Sequence, residues 1–170
     1  KQLNLLKTVW GEGFLSPGGT NEIEELMKGV NASDKFILDI GCGCGGAAIY
    51  LIKNLGAKSV LGIDIEPLVI ERAQELAAKH ELSNRTLFRC VQPGPLDIAN
   101  ESVDLVFSKE VFLHILNKDD LMKDIYRILK PGGVIAVSDW MRVDDNPPSK
   151  QMQEYIEAEG LDMYMYSLSK

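Results

Sequence analysis

The sequence predicts an α/β protein, a doubly wound and mainly parallel sheet with helices on both faces, and three observations carry that expectation. Short apolar runs alternate with segments whose apolar residues recur every three or four positions. The short runs are apolar almost throughout, as strands covered on both faces are. One of them, Phe36-Ile37-Leu38-Asp39-Ile40, opens directly into Gly41-Cys42-Gly43-Cys44-Gly45-Gly46 and then a helix-compatible segment. Such a strand, turn and helix N-terminus is where nucleotide-like ligands dock in open sheets, and its glycines supply positive φ and close backbone approach.

In chain order, strands are expected at residues 35–40, 59–65, 85–90, 103–108 and 133–139, with helices at 47–55, 67–80 and 118–129. The punctuation agrees. Pro67 suits the first turn of a helix. Asn117 is placed to cap the helix that starts at Lys118, with Asp119 and Asp120 favourable at its positive end. Lys130-Pro131-Gly132-Gly133 is expected to end that helix and turn the chain into the last strand. Two segments stand outside the alternation: residues 1–30, with a helix at about 21–29, and residues 141–170, with a polar loop at 144–148 and an amphipathic helix at 150–159.

The chain has 170 residues, enough for one domain with a proper core. A formal charge of −7 argues against a phosphate-tracking surface, so nucleic acid is not an expected partner. No apolar run is long enough to cross a bilayer, so no membrane partner is expected either. Three cysteines (Cys42, Cys44, Cys90) in a chain of this size suggest a reducing, cytoplasmic setting. Cys42 and Cys44 are expected to be small side chains beneath a ligand, and no metal site is expected. No motif speaks to oligomeric state. The chain begins at Lys1 and stops at Lys170 without a stop signal, so both ends are expected to be cut.

A second apolar strand, Val60-Leu61-Gly62-Ile63-Asp64-Ile65, also ends in an acid, which can accept hydrogen bonds from the hydroxyls of a ribose. Gly41, Gly43 and Gly46 satisfy the dinucleotide pattern, so a nicotinamide-dependent oxidoreductase is one reading. Asp39, however, sits badly beside a pyrophosphate and well beside a cation. S-adenosylmethionine (SAM) carries one, the ammonium of its methionine part.

Leu38-Asp39-Ile40-Gly41-Cys42-Gly43-Cys44-Gly45-Gly46, Gly62-Ile63-Asp64, Ser102-Val103-Asp104-Leu105-Val106 and Leu129-Lys130-Pro131-Gly132-Gly133 resemble the successive motifs of class I SAM-dependent methyltransferases, in order, over roughly residues 35–140. That resemblance implies a Rossmann-like fold, with SAM as methyl donor and S-adenosylhomocysteine (SAH) as product. It also implies a single domain: residues 1–30 a lid, 31–140 the SAM-binding core and 141–170 a substrate-side helical segment. The two further strands with which the family usually finishes are expected to be missing from the covered chain. Asp39, Gly41, Cys42 and Gly43 would line the methionine part, Asp64 would hold the ribose, and Ile65 would pack on the adenine. Gln92, with Pro93, stands where the family often has an acid for the adenine amino group; its amide oxygen can accept the same bond.

Past the fourth strand, Phe107-Ser108-Lys109-Glu110-Val111-Phe112-Leu113-His114 hangs over the crevice, with Ser108 and Lys109 on the cofactor side. Glu110 and His114 are four apart, hence on one face if the segment is helical. A carboxylate to orient an ammonium and an imidazole to take its proton suit an amine acceptor. Gly11-Glu12-Gly13-Phe14-Leu15-Ser16-Pro17-Gly18-Gly19 together with Lys109-Glu110 and His114 resembles the phosphoethanolamine and related small-amine N-methyltransferases. By that likeness Leu15 and Ser16 touch the cofactor, Glu110 contacts substrate and His114 is catalytic, while the tyrosine that partners this histidine would fall before Lys1. The phosphate grip departs from the group. Trp140 replaces a tyrosine, and Glu159 and Leu161 stand where arginine and tyrosine are expected. Trp140 offers a cation–π face instead. A small-molecule amine is the expected partner, phosphorylated or not. A non-catalytic SAM-binding protein is the remaining alternative.

Overall fold

The computed structural model describes residues 8–160, 162–167 and 169, the side chain of Glu159 excepted. Leu161 and that side chain therefore lie outside the described set. Five strands form one sheet: β1 (Phe36–Ile40), β2 (Ser59–Asp64), β3 (Thr86–Cys90), β4 (Val103–Lys109) and β5 (Leu129–Ser138). Their order is β3-β2-β1-β4-β5 and every neighbouring pair is parallel. The strand order reverses between β1 and β4, which opens a crevice at their carboxyl ends. Register brings the functional ends to one edge: Ile40 pairs with both Ile63 and Ser108, and Lys109 pairs with Ser138.

The alternation of side chains along β1 separates two apolar layers. Ile37 joins the layer with Ile23, Leu51, Ile70 and Ala73, from helices α1 (Gly19–Leu26), α2 (Gly46–Lys53) and α3 (Pro67–Lys79). Leu38 and Ile40 join the other, with Ile125 and Ile128 of α4 (Lys118–Ile128). A last helix, α5 (Lys150–Glu159), is capped by Ser149, whose hydroxyl accepts from Met152 N.

Local signals set most boundaries. Pro67 occupies the first turn of α3, where the Glu66 carboxylate accepts from Leu68 N. Asn117 caps α4 by accepting from Asp120 N. The end of α4 departs from expectation. Leu129 is already extended and pairs with Val103, so β5 starts four residues earlier than residue 133. Lys130–Gly133 forms no separate turn; the next pair is Leu105 with Val134, leaving these residues as a bulge inside β5. The N-terminal helix likewise starts at Gly19 and ends at Leu26, earlier at both ends than expected.

Candidate active site

The glycine turn is built from main-chain bonds. Gly41 N and Cys42 N both donate to Ile63 O, at 2.8 and 3.0 Å, which stitches the turn to the end of β2. Gly41, Gly43 and Gly45 all take positive φ. The space a side chain would fill at Gly41 is occupied by Val111, 2.1 Å from an ideal Cβ, and at Gly43 by Leu15, at 3.1 Å. Close approach at these two glycines is thus made by the protein's own side chains. Cys42 points its side chain into the core beneath the turn, where burial and the charges of Asp39 and Asp64 push its thiol pKa up. It is a packing residue whose N–H is already spent.

Asp39 is 2% exposed and its Oδ2 has no hydrogen-bond partner. Burial, reinforced by the nearby Asp64 charge, raises its pKa from 3.8 to about 7. An unpartnered buried acid next to a second acid is a site for a cation and a poor one for a pyrophosphate. Asp64 has a structural duty as well, accepting from Gly43 N through Oδ2 and from Glu66 N through Oδ1, both at 3.0 Å. Ile65, just past β2, is 61% exposed, an apolar side chain open to the surface. Gln92 and Pro93 lie exposed in the loop after β3, anchored by Val91 N donating to Asp64 O.

The N-terminal segment lies across this turn. Gly46 N, at the start of α2, donates to Gly13 O at 3.1 Å. Lys109 fastens the segment from the other side. Its ammonium donates to Ser16 Oγ at 2.7 Å and Pro17 O at 2.8 Å, and pairs with Glu22 at 2.9 Å and Glu110 at 3.3 Å. With its side chain only 8% exposed, it is a buried cation shared by two carboxylates. Ser138 Oγ donates to the other Glu22 oxygen at 2.7 Å, tying α1 to β5 as well. Ser108, although at the right edge, is buried and spends its hydroxyl on Ile40 O.

Glu110 follows β4 at φ 56, a left-handed conformation uncommon for a non-glycine residue. Trp140 Nε1 donates to its Oε1 at 3.1 Å. Burial pushes the Glu110 carboxyl up, but hydrogen bonds from Ser16 and Trp140 and the Lys109 charge outweigh it and hold the pKa below its usual value. The expected common helical face for Glu110 and His114 does not form. The left-handed Glu110 breaks the segment, and only a single 3-10 turn, Phe112–His114, follows. His114 is exposed and faces Asp162 O, 2.8 Å from Nδ1. Since a carbonyl only accepts, Nδ1 carries the proton in this contact and Nε2 of the neutral ring is the basic nitrogen.

One acid escaped the sequence reading. Asp139, at the end of β5, accepts from Leu113 N at 2.8 Å and from Trp140 N at 2.7 Å. Its signal was available: Val137-Ser138-Asp139 repeats the strand-end acid seen at Asp39 and Asp64.

An open parallel sheet of this order, with buried Asp39 near the end of β1 and Asp64 at the end of β2, has the class I methyltransferase architecture. A methyltransferase-domain family matches residues 31–166, and the chain belongs to that family. The phosphoethanolamine N-methyltransferase 1 of Arabidopsis thaliana is 32% identical over 92% of this chain. A sterol 24-C-methyltransferase of Aspergillus fumigatus is 34% identical over 71% of it. Among solved structures, phosphoethanolamine N-methyltransferase 2 of Haemonchus contortus superposes with a TM-score of 0.86 at 28% identity over 98% of this chain. That enzyme has been seen with SAM, and with phosphomonomethylethanolamine and SAH. The chain spans about a third of these relatives: 31% and 33% of the two curated proteins and 38% of the solved one. The fold is that of the class I SAM-dependent methyltransferases, and among the described residues no helix is long and apolar enough to cross a membrane.

Proposed function

We propose that this domain moves the methyl of SAM to the nitrogen of a small cationic amine in the cytoplasm, with the N-terminal segment, residues 1–30, as a lid. The supporting observation is the corner past β4, where Glu110 is held at positive φ between Lys109, Ser16 and Trp140 one turn ahead of His114. A residue kept in a costly conformation by three neighbours is characteristic of a working site. The curated relatives include acceptors of different kinds, so the nitrogen acceptor rests on this corner and on the likeness to the phosphoethanolamine enzymes.

On the cofactor side, Asp39 receives the ammonium, Asp64 the ribose hydroxyls, Ile65 the adenine face and Gln92, with Pro93, its edge. Leu15 and Ser16 close over the turn, and the main chain at Ser108 and Lys109 forms the far wall. Bound SAM supplies an electrophilic methyl on a sulfonium. Glu110, ionised at neutral pH, attracts an ammonium group and orients it. His114 Nε2 takes the proton that frees the nitrogen lone pair, with Nδ1 anchored on Asp162 O. The half-exposed Trp140 ring offers its face to a methylated ammonium while its N–H steadies Glu110. Alignment of nitrogen, methyl and sulfur does the rest.

Kinetics on a panel of small amines, with and without a phosphate group, test the assignment through Glu110→Gln and His114→Ala. Both variants are expected to lose about 100-fold or more in kcat, the usual scale for a positioned acid or base. Unchanged turnover in His114→Ala would remove the imidazole from the mechanism, and no turnover by the parent on any amine would leave a SAM-binding domain with another role.

A further inference from the structure

We infer that Asp139 is the positioning residue of the acceptor side: its carboxylate holds the His114 turn and the Trp140 loop in one fixed arrangement. The inference rests on the acceptor-side reading of His114 and Trp140 above and names what keeps them together. His114 and Trp140 belong to different excursions of the chain, one after β4 and one after β5. The geometry that joins them is a single side chain with one oxygen for each, Oδ2 on Leu113 N and Oδ1 on Trp140 N.

The 3-10 turn needs such a partner. A helical turn leaves its first N–H groups without acceptors inside the turn, and here the preceding residue, Val111, supplies no side-chain cap. Leu113 is buried, so its N–H has no ready access to water. Asp139 supplies the missing acceptor from the neighbouring strand. Around the same turn, Tyr164 N donates to Leu113 O, and Lys118 Nζ donates to Ile115 O and Tyr164 O. These bonds fix the turn against the C-terminal segment, whereas Asp139 fixes it against β5 and therefore against Trp140. Asp139 is half-buried, and the charged groups that face it are Lys118 and His114. Burial raises its pKa, against which the two N–H groups and the charges of Lys118 and His114 favour the ionised form. Both of these hydrogen bonds go to main-chain N–H groups, so Asp139 acts through the main chain of both and moves no proton.

The consequence is a separation of effects. Asp39 to Gly46, which run from the end of β1 through the glycine turn to the start of α2, and Asp64, at the end of β2, share no hydrogen bond with Asp139 among the described residues. Losing Asp139 disturbs the acceptor side and leaves the cofactor side in place. Asp139→Asn keeps one accepting oxygen and turns an amide NH2 toward the other N–H; Asp139→Ala removes both.

Three measurements on the full chain test this: the SAH dissociation constant by calorimetry, kcat and KM for the best amine, and the amide resonances of Leu113 and Trp140. Both variants are expected to bind SAH within about twofold of the parent, and to lose about 10–100-fold in kcat/KM, the scale of one charge-assisted hydrogen bond. Asn is expected to be the milder, with both amide resonances displaced. Full kcat/KM in an active parent's variants would overturn the inference while leaving the acceptor reading intact. If the parent methylates no amine, that reading fails, and displaced or unmoved resonances then support or overturn the positioning role on their own. Parallel loss of SAH binding and of the folded state in the Asn variant would also overturn it, by making Asp139 a general structural residue.

Discussion

Asp39 makes the sharpest quantitative prediction, because an acid that prefers its proton opposes folding above its ordinary pKa. In the unfolded chain it ionises near 3.8; in the folded, ligand-free protein it does so at about 7. The folded state therefore holds a proton through that window that the unfolded state has released. At ~1.36 kcal/mol for each tenfold difference in protonation, ionised Asp39 costs the fold about 4 kcal/mol by neutral pH. Stability of the free protein is thus expected to fall between about pH 4 and pH 7 from this residue, then level off. Asp39→Asn abolishes that slope. The buried amide of the variant keeps unmet hydrogen bonds at a cost of ~1–3 kcal/mol, so the net gain at pH 8 is about 1–3 kcal/mol. Urea unfolding from pH 4 to 9, with and without SAH, measures it. Ligand shows the opposite trend: SAH affinity in the parent rises with pH up to about 7 as Asp39 ionises to meet the ammonium, and Asp39→Asn binds weakly at all pH. A variant less stable than the parent at pH 8, or one that keeps the pH slope, would refute this reasoning.

Further predictions concern the turn and the lid. Gly41→Ala places a Cβ 2.1 Å from Val111 at φ 72, and is expected to cost about 2–4 kcal/mol in urea unfolding while displacing the Val111–His114 stretch. Lys109→Met strands the Glu22 and Glu110 carboxylates; because Glu22 keeps 26% of its side chain exposed, a loss of about 2–4 kcal/mol is expected rather than the full cost of a deeply buried pair. The same variant is expected to speed SAH release in stopped-flow and to expose residues 8–19 to limited proteolysis. Glu110, with its pKa held below 4.5, contributes stability that is complete above that value and lost as pH falls through the lower folded pKa. Glu110→Gln is expected to remove that acid-side slope in the same unfolding series.

What the sequence made legible was local. The run from Phe36 to Gly46 encodes a strand, a turn and a helix start within eleven residues, and Asp39 and Asp64 stand out because each terminates an apolar strand. Helix-start signals such as Asn117 and Pro67 act over three or four positions and are visible for the same reason. What stayed hidden depends on distance or on unusual backbone. Lys109 meets Ser16 across 93 residues, so nothing near Lys109 in sequence reveals that its ammonium is held by the N-terminal segment. The shared face expected of Glu110 and His114 assumed a regular helix, and the left-handed Glu110 removes that assumption. The bulge at Lys130–Gly133 follows from pairing with β4, a tertiary fact that the Pro-Gly-Gly signal misassigned to a free turn. The sequence explains Gly41 and Gly43 by the turn and a ligand alone, and gives no sign that Val111 and Leu15, distant in the chain, also pack against them.

The most direct measurement is the fate of the methyl group itself. Protein given SAM labelled with 13C in the methyl is incubated with small amines, and the product is examined by NMR for coupling of the label to nitrogen. Label on nitrogen in the parent, lost in Glu110→Gln and His114→Ala while the SAH affinity of His114→Ala stays unchanged, is the predicted result. Label found on carbon or oxygen, or bound SAM with no transfer to any amine, would contradict it.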